Sequence, residues 1–217
     1  SFLMGYELKN IGVDVNFSPV CDIFFNEGHG IIGDRSFGSN PHLVKDLSQE
    51  FCRGLSDSGI VPVPKHFPGH GRSIHDTHEQ SSIVDVDFNT LLLTDLIPFH
   101  ILNKSLMVMI AHIIYQKIDR KIATYSKKII NELLKNQLKF RGLVLSDDIS
   151  MNALDGSLEK RVKKTYESGC DVILYCNGNL NEMLRIYPFI KKIKKNLIVF
   201  FFNELKKIKN NKIRMYN

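Results

Sequence analysis

The 217-residue chain has no tryptophan, only four cysteines and no long apolar run. Its longest uninterrupted apolar stretches, such as residues 197–202, cover six residues, whereas a membrane-spanning helix needs roughly 20. No basic start followed by an apolar core and a small-residue cleavage site is visible, so we expect no secretory signal. The cysteines form no CxxC pair, which argues against a zinc ribbon and a disulfide framework. These absences predict a cytoplasmic protein without a membrane partner.

Charge is present in ordinary amount but is unevenly distributed. Hydrophobic residues make up 43% and charged residues 24% of the chain, which is typical of a globular domain. Of the net charge of +6, residues 191–217 contribute nine Lys or Arg and one acid, so residues 1–190 are faintly acidic. A nucleic-acid binder would spread basic side chains over a folded face. We therefore expect no nucleic-acid partner, one folded domain over 1–190 and a basic, solvated tail over 191–217.

Short β-rich runs alternate with stretches of helical spacing along the chain. The β-rich runs are residues 13–22, 60–67, 106–115, 142–148 and 172–177. The helical stretches between them are residues 41–55, 89–104, 126–138 and 158–168, and residues 1–10 resemble the end of a further helix. Strands that alternate with helices predict parallel strands joined by crossover helices. The sequence therefore predicts an α/β fold with about five β/α units.

Each β-rich run becomes polar at its carboxyl end. In parallel α/β folds the ligand binds at the carboxyl ends of the strands, so these polar ends predict one shared pocket. A closed (β/α)8 barrel typically takes about 250 residues. Five units therefore leave two alternatives, an open sheet or a barrel that lacks its front strands.

The string KHFPGHGRSIHDTH, which begins at the end of the second run, is the segment richest in chemistry. One interpretation is a zinc site formed by His66, His70, His75 and His78. A second is acid/base chemistry, in which Asp76 fixes the tautomer of His78. The third is a polar loop whose histidines are merely exposed. Spacing alone leaves all three open.

Other polar residues at strand ends have both structural and functional interpretations. Adjacent acids end the fourth run: Asp148 is suited to cap the following helix, whereas Asp147 is better placed to face the pocket as a magnesium ligand or a nucleophile. Arg35 offers a planar fork for hydroxyls or carboxylates, or a salt bridge with Asp34. His112 is expected to be a buried core histidine.

Several motifs together resemble a known family. They are GVDVNFSPVCDI, IIGDRSFG, KHFPGHG followed by DTH, IAHIIY, GLVLSDDISM and GCDVILYCN. In order and spacing they resemble the bacterial β-N-acetylglucosaminidases of glycoside hydrolase family 3, in particular the single-domain cytosolic type of peptidoglycan recycling. The resemblance covers residues 1–177.

This resemblance implies a (β/α)8 barrel and retaining hydrolysis through a covalent glycosyl-enzyme. It implies Asp147 as nucleophile and His78 as general acid/base, with Asp76 orienting His78. The positions that bind N-acetylglucosamine correspond to Arg35, Lys65 and His66. It implies no metal, no cofactor and a monomer that acts on N-acetylglucosaminyl-1,6-anhydromuramyl-peptides.

One departure from the family is large. The family's DQEGGR-type strand end, which also contacts the sugar, has no counterpart here, so we expect an incomplete barrel without its first three strands. Two alternatives to the enzyme stay open: a non-catalytic remnant that binds sugar or a partner, and a zinc-dependent hydrolase that uses the histidine-rich loop.

Overall fold

The computed structural model describes residues 1–28, 30–77 and 81–210. Its strands are β1 (Val15–Asn16), β2 (Val61–Pro62), β3 (Ser82–Val84), β4 (Met107–Ile110), β5 (Ile113–Tyr115), β6 (Leu143–Asp148) and β7 (Val172–Leu174). Its α-helices are α1 (Phe2–Asn10), α2 (Pro41–Asp57), α3 (Phe88–Leu93), α4 (Leu158–Ser168), α5 (Leu180–Ile186) and α6 (Lys195–Asn210). Short 3-10 helices cover Gly33–Arg35, Pro98–Lys104, Ala123–Tyr125 and Tyr187–Phe189, and a π-helix covers Lys128–Gln137.

A parallel arrangement of strands forms the centre of the molecule. Strand β1 pairs with β2, and β4 pairs with β6, which pairs with β7, all in parallel. A parallel bridge between Phe67 and Ile110 joins the continuation of β2 to β4, so the order is β1-β2-β4-β6-β7. A separate parallel pair joins β3 to β5. Each of the five predicted β-rich runs therefore contains a parallel strand, and these strands follow chain order. The third run, residues 106–115, is divided into β4 and β5, and β3 was not predicted.

Local signals explain where the helices begin and end. Asn40 accepts hydrogen bonds from the first-turn N–H groups of α2, and Pro41 occupies the first turn. Helix α4 ends at Gly169, whose φ of +112° suits glycine. The prediction of one helix over 89–104 is wrong, because it divides into α3 and the 3-10 helix that begins at Pro98. Proline has no N–H group with which to continue an α-helical turn.

The strands β4 and β6 present alternate side chains to two different layers. Val108, Ile110 and Val144 pack against the helical layer, which includes Phe99 and Leu102. Their neighbours in β4 and β6 lie on the opposite face, together with buried side chains in and directly after β2. The buried residues of this face are Val61, Val63, Met107, Met109, Leu143 and Leu145. Both faces of the sheet are therefore apolar, as expected for parallel strands that are covered on each side.

Helix α6 covers the second face of the sheet. Its half-buried side chains Leu197, Phe201, Leu205 and Ile208 pack against that cluster and lie on one side of the helix. At the end of α6 the Lys209 ammonium lies 2.8 Å from a carboxylate oxygen of Asp14, directly before β1. Helix α6 lies within the segment expected to be a solvated tail, yet one side of it contributes to the core.

We expect Leu205→Ala to lower the free energy of unfolding by about 1.5 kcal/mol, because it exposes part of this apolar cluster. The matched control is Leu184→Ala in α5, where the leucine is 62% exposed and its loss is expected to change stability little. Urea denaturation of the two variants measures the difference. Equal losses in both would contradict the packing role of α6.

The described part of the chain contains no helix that is both long enough and apolar enough to span a membrane. All four cysteines are free thiols; Cys21 and Cys170 are buried, whereas Cys176 is exposed.

Candidate active site

Polar side chains collect at the carboxyl ends of β2 and β6. Lys65 and His66 follow β2, and Asp147 lies near the end of β6. Side chains alternate between the two faces along a strand. Lys65 and Asp147 therefore lie on the same face as Val63 and Leu145, which is the face against which α6 packs. The His66 Nε2 and Asp147 Oδ2 atoms are 3.9 Å apart. The structure therefore brings together three of the residues that the sequence predicted for the site.

Asp147 is held as a carboxylate by its surroundings. Its side chain is 22% exposed, and its Oδ1 accepts a hydrogen bond from the Asp148 N–H at 2.8 Å. Burial would raise the pKa of Asp147, but the nearby His66 and His112, the Asp148 N–H and the Lys65 ammonium together lower it below its ordinary value. An ionised, partly exposed carboxylate at a strand end is suited to act as a nucleophile or to stabilise positive charge.

Lys65 supplies positive charge beside this carboxylate, and Arg35 lies near Lys65. Burial lowers the pKa of Lys65, the nearby Arg35 lowers it further, and Asp147 and Asp22 oppose this shift. Arg35 is exposed at the end of its 3-10 helix, where its Nη1 donates to the Ile31 carbonyl at 3.1 Å. The two cations are therefore close enough for Arg35 to influence the charge of Lys65.

The fully buried Asp22 anchors the loop that follows β2. Its Oδ2 lies 2.7 Å from His66 Nδ1, and its Oδ1 accepts hydrogen bonds from the backbone N–H groups of His66 at 3.1 Å and His70 at 2.6 Å. Burial opposes its charge, but His66 and His70 outweigh burial and lower the pKa of Asp22. The carboxylate therefore receives Nδ1–H of His66 and directs Nε2 toward Asp147.

Asp22 was not among the predicted site residues, although a signal for it existed. Asp22 ends the first β-rich run in the way that Asp147 lies at the end of the fourth. Both acids lie at the carboxyl end of a β-rich run, and both carboxylates lie within 4 Å of a His66 ring nitrogen. A search for acids at strand ends would have selected both.

The neighbouring acid, Asp148, has a structural role. Its Oδ1 accepts hydrogen bonds from the N–H groups of Ser150 at 3.0 Å and Cys176 at 3.1 Å. It therefore stabilises the turn after β6 and ties that turn to the end of β7. The expectation that it caps the next helix is wrong, because the N-cap of α4 is Ser157.

His112 is confirmed as a buried histidine with satisfied hydrogen bonds. Its Nδ1 lies 2.6 Å from the Thr124 hydroxyl and its Nε2 lies 3.0 Å from the Asp148 carbonyl oxygen. Burial lowers the pKa of His112, which favours the neutral ring. The Thr124 hydroxyl also donates to the Ala111 carbonyl oxygen at 3.1 Å. The ring thus supports the backbone beside Asp147.

The loop predicted to hold the acid/base pair is described up to Thr77. Asp76 is half-buried, and His78 lies outside the described residues. His70 Nε2 lies 3.0 Å from the Thr77 hydroxyl. The ring of His66 pairs with Asp22. Within residues 1–28, 30–77 and 81–210, no group of three or more His, Cys, Asp or Glu side chains has the geometry to hold a metal ion.

The buried His70 predicts a pH dependence of stability. Burial, with a smaller contribution from His66, lowers the pKa of His70 to about 4, whereas an unfolded histidine titrates near 6.5. Between these values the unfolded chain binds a proton that the native chain does not, so stability falls as the pH drops from about 6.5 to 4. We expect His70 to account for about 3 kcal/mol of this loss.

Urea denaturation at a series of pH values measures this loss. His70→Gln should flatten the profile between pH 6.5 and 4, because glutamine does not titrate. His42→Gln, which replaces an exposed histidine on α2, is the matched control and should leave the profile unchanged. An identical profile in the wild type and His70→Gln would contradict the assignment.

Comparisons with known proteins agree with the motifs. A model of the glycosyl hydrolase family 3 N-terminal domain matches residues 1–201. A protein named beta-hexosaminidase from Nitrosomonas eutropha is 38% identical over 180 residues, which cover 81% of this chain and 51% of that protein. A second from Stenotrophomonas maltophilia is 38% identical over 184 residues, which cover 83% and 54%. The chain thus spans about half the length of these curated relatives.

Solved structures give the same result for the fold. A family 3 beta-N-acetylglucosaminidase from Paenibacillus matches with a TM-score of 0.85 and 29% identity, over 97% of this chain and 42% of that one. NagZ from Neisseria gonorrhoeae, in complex with N-trifluoroacetyl-D-glucosamine, matches with a TM-score of 0.84 and 29% identity, over 97% and 61%. The arrangement of strands and helices is therefore that of a TIM-barrel-type domain.

Proposed function

The chain belongs to glycoside hydrolase family 3, and on this basis we propose that it carries the catalytic centre of an exo-acting β-N-acetylglucosaminidase. The observation that carries the proposal is the ionised Asp147 carboxylate at the end of β6, close to His66 and Lys65 at the end of β2. Relatives named beta-hexosaminidase and a structural neighbour that binds an N-acetylglucosamine analogue support the same substrate class.

In the first step of the proposed reaction, the Asp147 carboxylate attacks the anomeric carbon of a β-linked N-acetylglucosamine. The bond from that carbon to the departing oxygen breaks, and His78 gives its proton to that oxygen. The product is a covalent glycosyl-enzyme ester with α configuration. Lys65, His66 and Arg35 would bind the sugar hydroxyls during this step.

In the second step, neutral His78 takes a proton from water, which attacks the anomeric carbon and releases Asp147. Two inversions retain the β configuration of the released sugar. A histidine is suited to both tasks because its ordinary pKa lies near neutrality. Asp76, two residues before His78, would fix the ring orientation. No metal or cofactor takes part in this scheme.

The proposed substrate is an N-acetylglucosaminyl-1,6-anhydromuramyl-peptide from cell-wall turnover, cleaved in the cytoplasm by a monomer. We further propose that the five parallel strands are five units of a (β/α)8 barrel whose other units lie in the part of the relatives that this chain does not match. Sugar contacts made by those units would add to the site formed by Arg35, Lys65, His66 and Asp147.

Release of 4-nitrophenol from 4-nitrophenyl β-N-acetylglucosaminide tests the proposal. We expect turnover of this substrate and none of the corresponding β-glucoside. Binding of N-acetylglucosamine without turnover would favour a sugar-binding remnant. Turnover that disappears with a chelator and returns with zinc would favour a zinc-dependent hydrolase.

The role of His78 predicts a dependence on the leaving group. We expect His78→Ala to lower kcat/KM by about 10²-fold for phenyl β-N-acetylglucosaminide but only slightly for the 2,4-dinitrophenyl substrate, which departs without a proton. His42→Ala is the control for loss of an exposed histidine. Equal loss on both substrates would contradict proton donation by His78.

A further inference from the structure

His70 is a buried histidine for which the proposed reaction has no direct use. Its side chain is 3% exposed, and Nε2 lies 3.0 Å from the Thr77 hydroxyl. Thr77 lies between Asp76 and His78 in the sequence. We propose that the His70–Thr77 hydrogen bond is a positioning contact that holds Thr77 and the adjacent Asp76, the expected partner of His78, in place for proton transfer. This inference rests on the proposed function.

Thr77 is held from two sides. Its side chain is 1% exposed and its hydroxyl meets His70, which belongs to the loop after β2. Its backbone carbonyl accepts a hydrogen bond from the Ala153 N–H at 3.2 Å, and Ala153 belongs to the segment after β6. Lys65 and His66 also follow β2, and Asp147 lies in β6. Thr77 thus links the predicted acid/base segment to both sides of the site.

His70 is itself fixed, so it can act as an anchor. Its backbone N–H donates to the buried Asp22 carboxylate at 2.6 Å, and its ring meets that of His66 edge-on, with centroids 5.5 Å apart. The next residue, Gly71, lies so close to the chain after β1 that a Cβ atom would stand 1.8 Å from the Ile23 carbonyl oxygen. Only glycine allows this approach.

One carboxylate therefore organises two parts of the site. Asp22 orients His66, which is expected to bind the sugar, and it holds the backbone of His70, which holds Thr77. A proton donor is effective only when it lies within hydrogen-bond reach of the departing oxygen. Because Asp76 directly precedes Thr77, loss of the contact would shift this expected partner of the proton donor while leaving Asp147 in place.

Two variants of the full chain separate this role from simple packing. Thr77→Val removes the hydroxyl and keeps the size of the side chain, whereas Thr77→Ser keeps the hydroxyl. We expect Thr77→Val to lower kcat/KM by about 10²-fold for phenyl β-N-acetylglucosaminide and far less for the 2,4-dinitrophenyl substrate. Thr77→Ser should retain most of the activity on both. Equal losses on the two substrates, or no rescue by serine, would overturn the proposal.

Amide hydrogen exchange supplies a readout that does not depend on turnover. In Thr77→Val the amide of Ala153, which donates to the Thr77 carbonyl, should exchange faster than in the wild type and in Thr77→Ser. Unchanged exchange in Thr77→Val would overturn the contact as a positioning device. A wild type without turnover would remove the proposed function, and the exchange data would still decide whether His70 holds Thr77.

Discussion

Replacement of Asp147 by alanine is expected to lower kcat/KM for 4-nitrophenyl β-N-acetylglucosaminide by at least about 10⁴-fold, because the variant has no group to form the covalent intermediate. Asp147 lies at the carboxyl end of β6, and the positive charges around it keep its pKa low. The carboxylate is therefore ready to attack without first losing a proton. Steady-state hydrolysis of the aryl glycoside measures the loss.

The space that the alanine leaves provides a second readout. Azide added to Asp147→Ala should restore turnover and yield an α-glycosyl azide, because the small anion attacks from the side on which the carboxylate stood. Asp155→Asn, which changes an exposed acid in the segment after β6, is the matched control and should stay active. Unimpaired turnover in Asp147→Ala would exclude this residue as the nucleophile.

Replacement of Asp22 by asparagine is expected to destabilise the protein and impair the site together. The carboxylate accepts two backbone N–H groups and faces His66 Nδ1, and asparagine can offer only one accepting atom. We expect the free energy of unfolding to fall by about 3 kcal/mol, the order found when one member of a buried charged network is removed. We expect kcat/KM to fall by about 10²-fold, because His66 loses the partner that orients it.

The tautomer of His66 distinguishes this mechanism from general loosening. ¹⁵N NMR of the ring should show a proton on Nδ1 in the wild type and not in Asp22→Asn, where the amide group would donate to that nitrogen. Asp34→Asn, an exposed change near Arg35, is the matched control and should alter neither stability nor tautomer. A wild-type tautomer and stability in Asp22→Asn would contradict the anchoring role.

The parts of the fold that depend on local signals could be predicted from the sequence. The five strands follow from short β-rich runs, and α2 and α4 follow from Asn40 and Gly169, which act within one turn of the helix ends. Asp147 and Asp148 could be given different roles from their order alone, and in the structure the first faces His66 whereas the second bonds the turn after β6. One helix over 89–104 does not form, because Pro98 interrupts the periodic stretch and begins a separate 3-10 helix.

Contacts between distant parts of the chain could not be predicted in the same way. The bonds from Asp22 to the loop after β2 span 44 and 48 residues, so only the parallel pairing of β1 with β2 brings their members together. The lysines of residues 191–217 led to the prediction of a solvated tail, although Leu197, Phe201 and Leu205 recur at helical spacing. The net charge of this segment reflects the exposed side of α6 and gives no information about the apolar side that packs against the sheet.

Trapping of the covalent intermediate tests the central claim most directly. A fluorinated N-acetylglucosaminyl donor that forms the ester faster than water removes it should add one sugar mass to the protein. Proteolysis and mass spectrometry should then locate that mass on the peptide that contains Asp147. A sugar bound to a different residue, or steady turnover with no trapped ester, would contradict Asp147 as the nucleophile.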